Sequence, residues 1–183
     1  MTLAQQFLKI GWQVAISALL MWISGRVSFE IPGLSVPITL QSMFAILLPL
    51  SLNSRYASGG IILWLLLGAL GLPLFADGNG GHSYFFSNSG GYLLGFYIIA
   101  IMAGKAKMLF TPNPIRVSVL FISMHFLLMI IGLSWIWIGS YSIITFETHI
   151  IPYLPGMIVK CVIGTLLFVL YSETLSNWKN FGN

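Results

Sequence analysis

Long apolar stretches alternate with short breaks of polar residues, glycine and proline along most of the chain. A helix needs about 20 apolar residues to cross the hydrocarbon layer, so the pattern predicts a bundle of about six transmembrane helices. Their predicted ranges are Leu8 to Ile23, from after Pro37 to Leu52, Ala57 to Leu72, Gly91 to Ala103, from after Pro114 to Ile138, and from after Pro155 to Tyr171. Pro49 lies late in the second helix and predicts a kink or an early end there. The predicted fold class is an all-α membrane protein, with residues 1–183 forming a single domain.

The segment between the third and fourth predicted helices differs from the other connections. It runs for about fifteen residues and combines glycine and polar residues with Phe75, Phe85 and Phe86. Loops of this length are usually functional or disordered. This one carries too many aromatic residues for a disordered linker, and we therefore predict a folded lid or binding loop.

Composition supports a membrane protein. The chain is 57% hydrophobic and 7% charged, with a mean hydropathy of +0.93, whereas soluble domains contain about 25% charged residues. The net charge of +4 is therefore read as a sign of topology and not of nucleic-acid binding. The single cysteine, Cys161, excludes an internal disulfide and a cysteine-based metal site. The first apolar stretch lacks a clear cleavage site, so we expect it to remain as a helix.

The distribution of basic residues predicts the orientation. If the N-terminus is cytoplasmic, six of the eight basic residues fall on the inside, namely Lys9, Arg55, Lys105, Lys107, Arg116 and Lys179. Basic residues favour the cytoplasmic side, so both termini are predicted to be cytoplasmic. The long loop, residues 25–37 and residues 140–153 then face outward together and form an external cap over a ligand pocket.

Lys160 lies inside the sixth apolar stretch. A charged residue within a membrane helix is costly and by default indicates a functional site. The positions three and four residues away hold Gly156, Met157, Ile163 and Gly164, so no acid is adjacent. A ligand carboxylate would suit this charge, although Glu147 is a competing partner and a lysine near a helix end can also extend towards water.

Other polar or small residues leave alternatives open. Gln41 needs a hydrogen-bond partner inside the membrane, either another helix or a ligand, and Thr39 lies on a different helical face. Gly11, Ala15 and Ala18 form a small-residue stripe, which is typical either of packing within the bundle or of docking to another membrane protein. His82, His125 and His149 lack metal-ligand spacing and are predicted to be packed or solvated, with no metal site.

Four motifs, in the same order and spacing, resemble the BioY family over about residues 10–172. They are Val36-Pro37-Ile38-Thr39-Leu40-Gln41, Gly68-Ala69-x-Gly71-Leu72-Pro73-Leu74-Phe75-Ala76, Gly90-Gly91-Tyr92-Leu93-Leu94-Gly95-Phe96 and Leu154-Pro155-Gly156-x-x-x-Lys160. That family comprises the biotin-binding S-components of energy-coupling-factor (ECF) transporters, which are six-helix bundles of the bacterial cytoplasmic (inner) membrane.

The resemblance implies high-affinity biotin uptake by a multi-pass protein that is not an enzyme. Biotin would be captured from outside, and a coupling transmembrane protein with paired ATPases would drive its passage. The chain has no Walker A motif, so ATP would act only through these partners, and the chain itself would bind no cofactor. Gly11 and Ala15, with Ala18 in the same stripe, would dock on the coupling protein, and membrane lipid is the other expected contact.

The resemblance also implies the binding residues. The predicted set is Thr39, Gln41, Phe75, Asn79, Asn88, Ser89, Tyr92, Met157 and Lys160. Lys160 would supply charge, Tyr92 and Phe75 aromatic contacts, and the remaining polar side chains hydrogen bonds. Met157 replaces the family's usual Asp, and Asn88-Ser89 replaces its Pro-Thr. The lost acceptor would be replaced by Asn79, Asn88 or Glu147, or affinity would be lower, or the ligand would be another small carboxylate such as lipoate.

Two other classes of protein are alternatives to this interpretation. An intramembrane serine peptidase would need a nucleophile beside a base, and Ser89 with His125 is the candidate pair. A self-sufficient channel or carrier is disfavoured, because Lys160 is the one charge within the apolar stretches and forms no relay.

Overall fold

Six α-helices make up most of the computed structural model, which describes residues 2–29, 38–109 and 113–181. They are α1 (Leu3–Arg26), α2 (Gln41–Ser51), α3 (Ser54–Ala69), α4 (Gly90–Ala106), α5 (Pro114–Gly139) and α6 (Tyr153–Phe181). Two short strands, β1 (Ser28–Phe29) and β2 (Ile38–Thr39), pair antiparallel between α1 and α2. The predicted all-α class is confirmed.

Length and composition distinguish the helices. Within the described residues, α1, α5 and the segment Phe146–Thr174 are long and apolar enough to cross a membrane, while α2 and α4 are shorter apolar helices. The number of six crossings therefore stays a prediction.

Local sequence explains several helix ends. Thr2 and Gln5 form a capping box at the start of α1, which satisfies backbone N–H groups that have no partner within the helix. Asn113 caps α5, and Pro114 occupies its first turn, where the missing N–H costs nothing. Pro49 lies in the last turn of α2, which ends at Ser51, consistent with the early end predicted there.

The short helix α2 lies at the centre of the bundle and contacts each of the other five helices. Nearly all of its side chains are buried, including Met43, Ala45, Ile46, Leu47, Leu48 and Leu50. α1 packs closely against α3, because Gly60 brings the α3 backbone next to Ser17 and the carbonyl oxygen of Val14. Small residues at such crossings allow the close approach that replaces a hydrophobic driving force in lipid.

The connection between α3 and α4 is folded around Phe75, which is fully buried. The Phe75 ring stacks on Tyr84 at 5.4 Å between centroids and meets Trp64 edge-on at 5.3 Å. Trp64 Nε1 also donates a hydrogen bond to the Leu74 carbonyl oxygen at 2.8 Å. A Cβ atom at Gly68 would overlap the Phe75 ring. The prediction that this connection is folded agrees with the structure.

Candidate functional site

A cavity of about 680 Å³, counting the open space at its mouth, lies at the end of the bundle next to the α3–α4 connection. Thirteen residues line it: Thr39, Gln41, Ser42, Ala76, Tyr84, Ser89, Tyr92, Leu93, Phe96, Leu128, His149, Tyr153 and Lys160. The lining combines apolar and aromatic surface with a few polar groups, the usual composition of a small-molecule site.

Lys160 supplies a positive charge to this cavity. Its side chain is only 5% exposed, and its Nζ lies 5.4 Å from the centroid of the Tyr153 ring. Such a cation–π contact stabilises an ammonium group but does not neutralise it. Glu147, the predicted competing partner, is exposed, and the described residues contain no ion pair between it and Lys160. The charge therefore remains available to an anionic ligand group.

The start of α2 places Thr39 and Gln41 beside the cavity. Gln41 Nε2 donates to the Met21 carbonyl oxygen at 3.2 Å, and Thr39 Oγ1 donates to Gln41 Oε1 at 3.1 Å. The side chain of Gln41 fits because Gly25 of α1 leaves room for it. Of the two predicted alternatives, the structure shows the bond to another helix, and the Gln41 side chain also lines the cavity.

Sequence reasoning missed a buried pair formed by Ser42 and His125. Ser42 Oγ lies 3.1 Å from His125 Nε2, and His125 Nδ1 lies 2.8 Å from the Phe121 carbonyl oxygen. The imidazole is fully buried. A histidine within an apolar helix is the one signal in the sequence for such a pair, because polar side chains inside a membrane require partners.

Aromatic side chains form a second part of the cavity lining. The rings of Tyr92 and Tyr153 lie 6.5 Å apart, and the Tyr153 hydroxyl donates to the His125 carbonyl oxygen at 3.1 Å. Tyr84 reaches the cavity from the α3–α4 connection, and burial raises the pKa of its phenol above the ordinary value. Neither Tyr84 nor Tyr153 was predicted from the sequence.

Five of the nine predicted binding residues line the cavity: Thr39, Gln41, Ser89, Tyr92 and Lys160. The other four do not. Phe75 is buried in the aromatic cluster behind Tyr84, and Asn79 is exposed, with its amide nitrogen donating to the Ala76 carbonyl oxygen at 2.9 Å.

Asn88 and Met157 are the remaining two. Asn88 Oδ1 is buried and has no hydrogen-bond partner within the described part of the chain, but this side chain is not part of the cavity lining. Met157 faces a separate apolar cavity between α5 and α6, next to Cys161. The substitution of Met for Asp therefore lies beside a different cavity from Lys160.

The small-residue stripe of α1 is divided between two environments. Gly11 and Ala15 are exposed, and nothing lies within 4 Å of a Cβ atom built at Gly11. Ala18 is partly buried and lies beside Gly60 of α3. Packing within the bundle therefore explains Ala18, while Gly11 and Ala15 have no packing role among the described residues.

His125, the candidate partner of Ser89 in a catalytic pair, lies within hydrogen-bond distance of Ser42 and of the Phe121 carbonyl oxygen instead. No cluster of three His, Cys, Asp or Glu suitable for a metal occurs among the described residues. His125 is bonded to Ser42, His149 to Ser142 and Thr148, and His82 is exposed.

An all-helical bundle with a buried lysine, hydroxyl groups and aromatic rings around a cavity has the features of a membrane-embedded ligand-binding protein. The sequence model of the BioY family matches residues 4–177. The chain therefore belongs to the BioY family, as the four motifs predicted. The family and the apolar helices identify a multi-pass membrane protein, and the prediction that the chain is not an enzyme is confirmed by its membership of a family of transport proteins.

Relatives and a solved structure agree with this assignment. A probable biotin transporter of Pyrococcus horikoshii is 29% identical over 156 residues, covering 84% of this chain and 90% of the relative. A biotin transporter of Thermotoga maritima is 37% identical over 107 residues, covering 56% and 60%. The crystal structure of the S-component for biotin from an ECF-type ABC transporter shares the fold, with a TM-score of 0.79, 24% identity and coverage of 96% and 95%. These comparisons give no support to the serine peptidase or to another vitamin.

Proposed function

We propose that this chain is the substrate-binding component of a biotin uptake system, which captures biotin from outside and delivers it across the cytoplasmic membrane. The observation that carries the proposal is Lys160, a buried cation that lines a cavity with polar and aromatic side chains in a member of the BioY family. The relatives from Pyrococcus horikoshii and Thermotoga maritima are named as biotin transporters, which supports biotin as the ligand.

The chemistry of biotin matches that of the cavity. Its carboxylate complements the ammonium group of Lys160, and its apolar thioether ring can pack against Tyr92 and Tyr153. The ureido group requires hydrogen-bond partners when it is removed from water, and the polar side chains that line the cavity include Thr39, Gln41, Ser42, Ser89 and His149. Biotin needs no resident cofactor to bind.

The proposed topology has six membrane crossings and both termini in the cytoplasm of a bacterial cell. The bias of basic residues supports this orientation, which places the cavity on the outer side. Gly11 and Ala15 form the proposed docking face for a coupling transmembrane protein of the ECF type. Paired ATPases bound to that protein supply the energy, and the chain itself binds no ATP.

Binding of labelled biotin to the purified protein tests the proposal. Lys160→Ala removes a charge-assisted contact worth about 1.5–3 kcal/mol, so we expect the Kd for biotin to rise by about 10- to 150-fold. Lys105→Ala, which changes an exposed lysine at the end of α4, is the matched control and should bind like the wild type. Absence of biotin binding by the wild type would overturn the proposed ligand, and an unchanged Kd in Lys160→Ala would overturn the role of Lys160.

Uptake into reconstituted vesicles tests the need for partners. We expect biotin accumulation when the coupling protein and ATPases are present with ATP, and loss of accumulation when ATP is depleted. Accumulation without partners and without ATP would contradict the proposal that the partners supply the energy for uptake.

A further inference from the structure

Two hydroxyl groups beside the cavity donate their hydrogens to buried acceptors of the protein. We infer that Thr39 and Ser42 therefore present only oxygen lone pairs to a ligand. His125 is the positioning residue for Ser42, because it accepts the hydroxyl hydrogen and leaves Ser42 as an acceptor towards the ligand. The inference rests on the proposed function and deepens it, because it names the ligand groups recognised at the start of α2. These groups are the N–H donors of the ureido ring.

The hydrogen bonds of His125 determine where its proton lies. The Phe121 carbonyl oxygen, 2.8 Å from Nδ1, can only accept, so Nδ1 carries the hydrogen. A neutral imidazole has a single N–H, which leaves a lone pair on Nε2. Cys161 Sγ is farther from Nδ1, at 3.7 Å, and thiols are weak hydrogen-bond partners. The contact with Phe121 therefore sets the tautomer.

The neutral form of His125 follows from its surroundings. The ring is fully buried, and a buried charge without a partner carries a large desolvation cost. The positive charge of Lys160 already lies near His125. Tyr153 contacts both residues, because its hydroxyl bonds to the His125 carbonyl oxygen and its ring contacts Lys160. A second cation here would add repulsion. His125 Nε2 is thus an acceptor, and Ser42 must be the donor across their 3.1 Å contact.

A separate chain of hydrogen bonds directs the hydroxyl hydrogen of Thr39 towards the protein. The Met21 carbonyl oxygen accepts from Gln41 Nε2 at 3.2 Å, which fixes the orientation of the amide. Gln41 Oε1 then faces Thr39 Oγ1 at 3.1 Å and can only accept. Thr39 is 7% exposed and Ser42 3% exposed, so bulk water does not compete strongly for either hydroxyl.

The two oxygens favour ligands with N–H donors at this end of the cavity. Thr39 at the end of β2 and Ser42 in the first turn of α2 are three residues apart, and both line the cavity. A ureido ring offers two N–H donors. A ring oxygen in place of one of them would face the oxygen of Thr39 or Ser42 and could not form a hydrogen bond with it. Three side chains were predicted to replace the missing Asp: Asn79 and Glu147 are exposed, and Asn88 does not line the cavity. The polarised hydroxyls take over that acceptor role.

Ligand selectivity tests the inference. The Kd values of biotin and of its cyclic carbamate analogues, in which one ring N–H is replaced by oxygen, are compared for each purified variant. We expect the wild type to prefer biotin by at least about tenfold, the equivalent of one hydrogen bond and an unpaired acceptor. Ser42→Ala should reduce this preference. Ser17→Ala changes another buried serine, one that bonds to the Gln13 carbonyl oxygen outside the cavity, and should leave the preference unchanged.

Two substitutions of His125 separate its positioning role from packing. His125→Phe removes the acceptor, so the Ser42 hydroxyl becomes free to donate to a ring oxygen and the preference for biotin should fall. His125→Gln supplies an amide oxygen that can accept from Ser42, and the preference should be retained. A purely structural role would weaken the binding of biotin and carbamate by the same factor and leave their ratio unchanged.

Each outcome has a distinct meaning. Absence of biotin binding by the wild type overturns the proposed function together with the inference. Biotin binding by the wild type with an unchanged preference in Ser42→Ala overturns the inference alone. An unchanged preference in His125→Phe overturns the positioning role of His125. If His125→Phe does not fold, Ser42→Ala still decides whether the hydroxyl selects for N–H donors.

Discussion

A methyl group added at Gly132 would overlap the ring of Tyr92. Tyr92 is buried at the cavity, on α4, and Gly132 belongs to the facing helix α5. Because Gly132 has no side chain, the Tyr92 ring can lie against α5 and away from the space that a ligand would occupy. At the scale of single residues, the shape of the cavity depends on this glycine as much as on the residues that line it.

We predict that Gly132→Ala weakens biotin binding by about 5- to 150-fold, because moving the ring into the cavity costs about 1–3 kcal/mol. Isothermal titration calorimetry of the purified variant measures the change. Gly59→Ala is the matched control, since its new Cβ would have the Val14 side chain at an ordinary 3.9 Å. Equal affinities for Gly132→Ala and Gly59→Ala would contradict the role of Gly132.

The sequence predicted part of the cavity lining and missed another part for identifiable reasons. Lys160 was predicted because charge inside a membrane helix is costly. Ser42 and His125 were missed because their contact joins residues 83 positions apart, and hydrophobic patterning does not give the rotation of two helices relative to each other. Met157 and Lys160 are three positions apart, yet the structure places them beside different cavities.

At the scale of helices, the hydrophobic pattern located the elements but not all of their ends. The predicted first helix began at Leu8, whereas α1 begins at Leu3, after the Thr2–Gln5 capping box. The predicted last helix ended near Tyr171, whereas α6 continues to Phe181. Hydropathy identifies the residues suited to lipid. The hydrogen bonding of a helix can continue into polar sequence beyond that range, until a residue such as proline or glycine ends it.

The crossing of α1 and α3 makes a prediction about stability. Gly60→Ala places a Cβ atom 2.5 Å from Ser17 Cβ and from the Val14 carbonyl oxygen, so the two helices must move apart. Overpacking of this kind usually costs about 1–3 kcal/mol, and we expect a lower thermal unfolding midpoint in detergent. Gly59→Ala, on the neighbouring position of the same helix, should leave the midpoint close to that of the wild type. A normal midpoint for Gly60→Ala would show that this crossing tolerates a larger separation.

The α3–α4 connection makes a second prediction at this scale. Phe75→Ala removes the ring that joins Trp64, Tyr84 and Phe85, and deletion of a buried aromatic ring typically costs about 3–5 kcal/mol. We expect faster amide hydrogen exchange in the connection than in the wild type. Phe86→Ala, which removes a 65% exposed ring, is the control. Unchanged exchange in Phe75→Ala would mean that backbone hydrogen bonds alone hold the connection.

At the scale of the whole molecule, the cavity and the exposed part of the α1 stripe lie in different parts of the bundle. The cavity is bounded by the start of α2, α4 and α6 and by the α3–α4 connection. Gly11 and Ala15 lie near the middle of α1, and no residue of α1 lines the cavity. Ligand capture and partner docking can therefore be changed independently by mutation.

This separation gives the last prediction. Ala15→Leu adds a large side chain at an exposed position, so the isolated chain should bind biotin as the wild type does. A leucine there would prevent the close helix approach that small residues allow, and we expect ATP-driven biotin uptake with the coupling partners to fall by about tenfold or more. Ser123→Leu makes a similar change at an exposed position of α5 and should affect neither measurement. Normal uptake by Ala15→Leu would exclude this face as the docking surface, whereas impaired binding would show that α1 also shapes the cavity.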